Sequence, residues 1–113
     1  MIKVKREKMD ILPIIKNKNK VGQIIEYRKE NGDLHRVIGP AYKMCEDNIW
    51  TYQWWDNGVL IAIYSGFTEE LFYCVEGNQY ELKKLPIRTK WRDYEQSITL
   101  SDIKMLIRNY IKK

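Results

Sequence analysis

The clearest pattern in the chain is the alternation of side chains from Ile49 to Trp55, which is typical of a β-strand. Two sets of side chains would point in opposite directions: Trp50, Tyr52 and Trp54 on one face, and Thr51, Gln53 and Trp55 on the other. Asp56-Asn57-Gly58 then predicts a tight turn, because Asn-Gly tolerates positive φ. The almost wholly apolar run Val59–Tyr64 follows and is typical of a strand covered on both faces.

Further strand and turn patterns lie on both sides of this pair. Gln23 to Arg28 is a β-rich run that ends at Asn31-Gly32, and we expect Leu34-His35-Arg36 to pair back onto it. Pro13 excludes a regular helix near the N-terminus, where Ile14 and Ile15 are expected to dock on the core. The same reasoning predicts strands at 41–45, 71–75 and 79–82, with a turn at 76–78.

The end of the chain has the period of an amphipathic helix, over about residues 100–112. Thr99 to Asp102 supplies capping residues just before it. An apolar stripe is formed by Ile103, Leu106, Ile107, Tyr110 and Ile111. The predicted fold is α+β: a curved antiparallel sheet of about five to seven short hairpin-connected strands, packed against this one helix.

The length of 113 residues, with 44% hydrophobic, predicts a single domain over residues 21–113 after a basic N-terminal segment, 1–20. No apolar run is long enough to span a bilayer, and no apolar segment follows the basic N-terminus. We therefore expect no signal peptide and a cytoplasmic location. Cys45 and Cys74 are not in C-x-x-C spacing and are interpreted as reduced thiols, with a disulfide between neighbouring strands as the alternative.

Charge is unevenly distributed along the chain, whose net charge is +5. Residues 1–20 carry seven basic and two acidic side chains, and residues 99–113 carry four basic and one acidic. Residues 44–82 contain seven acidic side chains, no Lys or Arg, and nine of the 14 aromatic residues. Any affinity for nucleic acid that the pI near 9.2 suggests therefore belongs to the two ends.

The run from Glu26 to Ala41 resembles a hairpin module of small phage and large-virus proteins, in which an aromatic residue precedes Asn-Gly-x-Leu-His-Arg-x-x-Gly-Pro-Ala. The matching residues are Asn31, Gly32, Leu34, His35, Arg36, Gly39, Pro40 and Ala41. Ile38 replaces the acidic residue that usually precedes Gly-Pro, and Trp54 to Leu60 looks like a degraded second copy without His-Arg. The resemblance implies β-hairpins and a viral origin, and no particular activity.

Catalytic and metal-binding patterns are weak. The single histidine, His35, stands beside Arg36, and we assign it a turn-stabilising role rather than a place in a Ser-His-Asp or Cys-His mechanism. One histidine and two distant cysteines do not supply the ligands that zinc requires. The carboxylate pairs Glu46-Asp47 and Glu69-Glu70 lie in turn-like stretches and are interpreted as solvated loops. We therefore expect no enzymatic activity, no metal and no cofactor.

The leading functional hypothesis is a phage- or virus-type accessory protein that binds and inhibits a host protein with a basic surface. That partner would be a defence nuclease or another nucleic-acid-handling enzyme, in the host cytoplasm if a phage encodes the chain. The predicted binding surface is acidic and aromatic: Trp50, Trp54, Trp55, Asp56, Glu69, Glu70 and Glu76.

The main alternative is a small nucleic-acid-binding module that uses the basic ends to contact phosphates. Its predicted contacts are Lys3, Lys5, Arg6, Lys8, Lys104, Arg108 and Lys112. An oligomeric structural part of a virion is a third interpretation, and the sequence leaves open whether the chain forms a homo-oligomer.

Overall fold

The computed structural model describes residues 13–16, 22–75, 78–86 and 98–112. These residues form seven strands and one helix. Their bounds are β1 (Pro13–Lys16), β2 (Gly22–Tyr27), β3 (Tyr42–Glu46), β4 (Ile49–Asp56), β5 (Val59–Ser65), β6 (Glu70–Val75), β7 (Asn78–Leu85) and α1 (Leu100–Ile111).

The strands form one antiparallel sheet in which each strand pairs with its neighbours in sequence, in the order β1 to β7. The sheet is open, and α1 packs on one of its faces, which we call the helix face. The predicted α+β fold is confirmed, including the hairpins β4–β5 and β6–β7. No helix among the described residues is long and apolar enough to cross a membrane.

The core lies between the helix face and the first turn of α1. Register places Tyr52 opposite Tyr64 and Trp54 opposite Ala62, so alternate residues of each strand share this face. The buried core residues are Tyr52, Trp54, Ala62, Tyr64, Leu71, Tyr73, Leu85, Leu100 and Ile103. The predicted alternation along β4 is therefore confirmed, with Tyr52 and Trp54 inside.

Trp54 fixes where α1 begins. Its side chain is fully buried, and its indole Nε1–H donates to the Ile98 carbonyl at 2.8 Å. The backbone N–H of Leu100 donates to the Val37 carbonyl at 2.9 Å, which ties the same point to the loop after β2. Thr99 caps the helix in a capping box with Asp102, as the sequence predicts.

The N-terminal strand β1 differs from the prediction. Residues 13–16 pair with β2, from Pro13 opposite Tyr27 to Lys16 opposite Ile24, so part of the predicted N-terminal segment belongs to the sheet. Ile14 and Ile15 are exposed rather than docked on the core. Pro13 excludes a helix but is tolerated at the first position of an edge strand, where its missing N–H breaks no hydrogen bond.

The loop between β2 and β3 also differs from the prediction. The predicted pairing of residues 34–36 is limited to a short stretch: Leu34 bridges Arg28 and the His35 N–H donates to the Tyr27 carbonyl at 3.0 Å, whereas the strand that pairs along β2 is β3. The rest of the loop contacts the β4–β5 turn at the end of the sheet. Leu34 is buried, and its carbonyl accepts from the backbone N–H of Gly58 at 2.9 Å.

The two predicted Asn-Gly turns have the expected backbone. Gly32 has a φ of 97° and Gly58 a φ of 84°, values that glycine adopts without the strain a Cβ would bring.

The apolar stripe of α1 is buried only in its first half. Leu100 and Ile103 lie in the core and Ile107 packs against it, whereas Leu106, Tyr110 and Ile111 are exposed. The helix is tied to the sheet through Trp54 at its beginning. Toward its end, the rings of Tyr110 and Tyr73 form a T-shaped pair with centroids 6.2 Å apart.

Ile103→Ala is therefore expected to lower the free energy of unfolding by about 2–5 kcal/mol, because it opens a cavity between sheet and helix. Leu106→Ala, at a position 38% exposed, should lose less than about 1 kcal/mol. Urea denaturation measures both, with Met105→Ala as a control at an exposed position. Equal losses at Ile103 and Leu106 would contradict this description of the helix.

Candidate functional site

The two ends of the sheet carry different turns and different charged groups. The loop from β2 to β3 and the turn from β4 to β5 lie at one end, with the beginning of α1. The turns from β3 to β4 and from β5 to β6 lie at the other end, because strands in an antiparallel meander alternate in direction. Three exposed carboxylates, those of Glu46, Asp47 and Glu69, lie at this second end.

The turn from β3 to β4 presents two carboxylates to solvent. Asp47 and Asn48 have φ values of 55° and 65°, the pair of left-handed residues that a two-residue hairpin turn favours. Glu46 and Asp47 are exposed, and neither forms an ion pair within the described part of the chain. The sequence interpretation of this pair as a solvated loop missed its place at a shared edge.

The turn from β5 to β6 packs against the beginning of β4. A Cβ on Gly66 would overlap the Trp50 carbonyl oxygen and lie 2.9 Å from Ile49 Cγ2, so only glycine fits there. The next residue, Phe67, is 51% exposed. In the sequence, the exposure of Phe67 is indicated only by its position within a four-residue turn, and the predicted binding surface does not include it.

Two acidic residues follow Phe67. Glu69 has a φ of 57°, a left-handed conformation that is uncommon for Glu, and its N–H donates to the Ser65 carbonyl at 2.7 Å. Glu70 forms an ion pair with Lys84 on β7 at 2.9 Å. Hydrogen bonds from Lys84 and from the Thr68 side chain hold the pKa of the Glu70 carboxyl below its usual range.

We call this edge the acidic rim, which consists of Glu46, Asp47, Phe67, Glu69 and Glu70. The two turns are two strand spacings apart, or roughly 10 Å. Trp50 lies beside the Gly66 backbone, half-buried and stacked on Tyr52 with ring centroids 6.1 Å apart. The rim thus combines exposed carboxylates with one exposed aromatic ring.

Trp54 is a correction to the predicted binding surface. It is fully buried and its indole is hydrogen-bonded, so it belongs to the core and a partner does not reach it. Trp55 is half-buried, with its Nε1–H donating to the Gln53 Oε1 atom at 2.8 Å. Strand alternation places Trp55 on the face of the sheet opposite the helix.

Asp56 lies far from the acidic rim and is already paired. Thr51 pairs with Ser65, and Ser65 with Glu70, so Asp56 lies at the other end of β4 from the rim. The separation is roughly 17 Å at the usual rise of a strand. Asp56 Oδ2 accepts from Lys104 Nζ at 2.5 Å. The charges that the sequence hypotheses assigned to two different partners thus neutralise each other.

The remaining predicted contacts are divided between the helix and residues that the structure does not describe. Arg108 and Lys112 are exposed at the end of α1. Glu76, Lys3, Lys5, Arg6 and Lys8 lie outside the described residues. Of the basic residues predicted to contact nucleic acid, two among the described residues, Arg108 and Lys112, are therefore exposed cations that remain candidates.

His35 has the turn-stabilising role that the sequence predicts. Its Nδ1 accepts from the backbone N–H of Asn57 at 2.9 Å, so the loop after β2 supports the turn from β4 to β5. In the described residues, no group of three or more His, Cys, Asp or Glu side chains is placed to hold a metal ion.

Both cysteines are free thiols. Cys45 lies opposite Trp50 on the helix face, while Cys74 lies opposite Leu82 on the other face, so the sheet separates them and excludes a disulfide between the two. Burial raises the pKa of the Cys74 thiol.

Comparison with protein families, with curated proteins and with solved structures finds no match to this chain.

Gly66→Ala tests how the β5–β6 turn holds the acidic rim in place. The added Cβ has no room beside the backbone of β4, so the free energy of unfolding should fall by about 1–3 kcal/mol. Gly22→Ala is the matched control, because its Cβ would lie at an ordinary 3.5 Å from the Cys45 carbonyl oxygen. If urea denaturation shows the two variants equally stable, the turn does not pack against β4 as described.

Proposed function

We propose that this protein is a non-enzymatic accessory protein of phage or virus type that binds and inhibits a host protein carrying a basic surface. The observation that carries the proposal is the acidic rim, where exposed carboxylates from two turns flank the exposed ring of Phe67. The host protein would be a nucleic-acid-handling enzyme such as a defence nuclease, because such enzymes present basic grooves to bind phosphates.

The rim supports binding in two complementary ways. Carboxylates that project from turns act over distance and accelerate the approach of a basic partner, an effect that salt weakens. An exposed aromatic ring gains free energy when it leaves water for an apolar pocket of the partner. Dissociation would return the ring to water, so this contact slows dissociation. Phe67 lies in the same turn as Glu69, at the end of the sheet that also carries Glu46 and Asp47, so both effects act at one edge.

Glu69 supports a binding role for the rim. A left-handed backbone costs a non-glycine residue about 1–2 kcal/mol, and glycine or asparagine would relieve that strain. The backbone at Glu69 therefore carries strain that glycine would relieve. Strained backbone of this kind is common at functional sites, which supports a role for Glu69 in binding.

The proposed interface is the rim rather than the whole acidic span. Trp54 is in the core and Asp56 is paired with Lys104 at the other end of the sheet. Trp50 lies beside the rim: its backbone carbonyl faces Gly66 in the turn that carries Phe67, while its half-buried ring stacks on Tyr52.

The test begins with capture of a binding protein from nuclease-treated bacterial host lysate, followed by surface-plasmon kinetics on the isolated complex. Reversing Glu46 and Asp47 to Lys should slow association about tenfold at low salt, with less effect at high salt. Phe67→Ser should mainly speed dissociation. Glu30→Lys is the matched control, because Glu30 is exposed in the loop after β2, at the other end of the sheet.

Two outcomes would overturn the proposal. One is unchanged kinetics in both rim variants. The other is binding that disappears with nuclease treatment and is lost only when Arg108 and Lys112 are reversed to Glu, which would establish the nucleic-acid alternative.

Glu69→Gly separates binding from folding. The variant relieves left-handed strain and should gain roughly 1 kcal/mol in free energy of unfolding, while it removes a rim charge and slows association. Thermal melts and association rates measure the two effects on the same sample. A stabilised variant that binds as fast as the natural protein would remove Glu69 from the interface.

A further inference from the structure

Two cations share one aromatic ring on the helix face of the sheet. The Arg36 guanidinium carbon lies 3.8 Å from the centre of the Tyr27 ring, and the Lys43 ammonium nitrogen lies 5.7 Å from it. Both side chains are half-buried. Tyr27 ends β2 and Lys43 lies in β3, while Arg36 folds back over them from the intervening loop.

This arrangement holds positive charge without a carboxylate. Within the described residues, neither Arg36 nor Lys43 forms an ion pair. Arg36 donates from Nη1 to the Pro40 carbonyl at 3.3 Å, which leaves its other N–H groups and all those of Lys43 available. The nearby Glu26 is on the other face of the sheet, where it accepts from Arg28.

The pKa values of Arg36 and Lys43 are shifted in the direction expected for half-buried cations that have no carboxylate beside them. Burial lowers the pKa of Arg36. Burial and, second, the charge of Arg36 lower the pKa of Lys43. An aromatic face attracts a cation more weakly than an anion does, so the ring offsets only part of the desolvation and repulsion.

We infer that Arg36 and Lys43, held against Tyr27, form a binding site for a phosphate group. A guanidinium that is fixed by stacking presents its planar edge to two oxygens of one phosphate, and the ammonium supplies a second positive charge from the neighbouring strand. The site is distinct from the acidic rim and does not depend on the function proposed for it.

The binding experiment uses the full chain and two probes, inorganic phosphate and adenosine monophosphate, each measured by isothermal titration at constant ionic strength. We expect a Kd of about 1 mM or tighter for at least one of them. Equal affinity assigns the site to free phosphate, whereas tighter binding of the monophosphate assigns it to a nucleotide. No heat and no NMR shift at Tyr27 with either probe would overturn the inference.

Lys43→Gln should weaken phosphate binding about tenfold or more, because it removes a charged donor. Lys83→Gln is the matched control: Lys83 lies opposite Tyr73, also on the helix face, and is exposed. Equal losses in the two variants would mean that phosphate responds only to net charge and would overturn the site. Lys43 is preferred to Arg36 for this test because the Arg36 side chain also holds the loop.

A stability measurement tests the same site without ligand. Because its pKa in the folded protein lies below the ordinary 10.5, charged Lys43 disfavours folding at neutral pH, and this penalty fades as pH rises toward 10.5. Lys43→Met should therefore raise Tm at pH 7, and the gain should shrink with rising pH. A Tm difference that stays constant from pH 7 to pH 10 would show that the Lys43 charge carries no such penalty, which would contradict an uncompensated cation at this site.

Discussion

Trp54 stands at the centre of the fold, fully buried on the helix face, with its indole N–H bound to the Ile98 carbonyl at 2.8 Å. A buried indole must place its large ring in the core and satisfy its one donor, and the carbonyl just before α1 meets the second requirement. The helix therefore begins beside β4. The Leu100 N–H then meets the Val37 carbonyl, which fixes the long loop to the same point.

The two ends of the sheet differ because only one of them is anchored to the helix. At the anchored end, polar groups from distant parts of the chain bind one another, as Asp56 does with Lys104 and Asn57 with His35. These contacts stabilise the loop, the turn and the helix together. At the other end the turns are short, and Glu46, Asp47 and the Phe67 ring are exposed there, away from the contacts of the anchored end.

Local patterns predicted most of the elements, and long-range contacts account for what they missed. Alternation, Asn-Gly turns and helical period depend on neighbouring residues, which is why β4, β5 and α1 were found at nearly their observed bounds. The pairing of residues 13–16 with β2, and the folding of residues 34–36 over the sheet end, depend on partners elsewhere in the chain. Propensity carries no information about those partners.

The candidate site was predictable only in part for the same reason. An acidic, aromatic segment is visible in the sequence, but which of its residues reach solvent depends on the face of the sheet that the helix covers. Glu69 and Glu70 were predicted and lie in the rim, Trp54 was predicted and lies in the core, and Phe67 was overlooked. The sequence did not indicate the pair of cations over Tyr27, because Arg36 comes from a loop and Lys43 and Tyr27 come from two different strands.

Hydrogen exchange of the tryptophan indoles, followed by NMR on the ¹⁵N-labelled chain, tests the central role of Trp54 most directly. The Trp54 indole N–H is buried and bound to backbone, so it should exchange only when the whole domain unfolds. The Trp55 indole N–H is half-buried and bound to a side chain, so it should exchange through local motion and orders of magnitude faster. Equal, fast exchange at both indoles would show that Trp54 does not anchor the helix to the sheet.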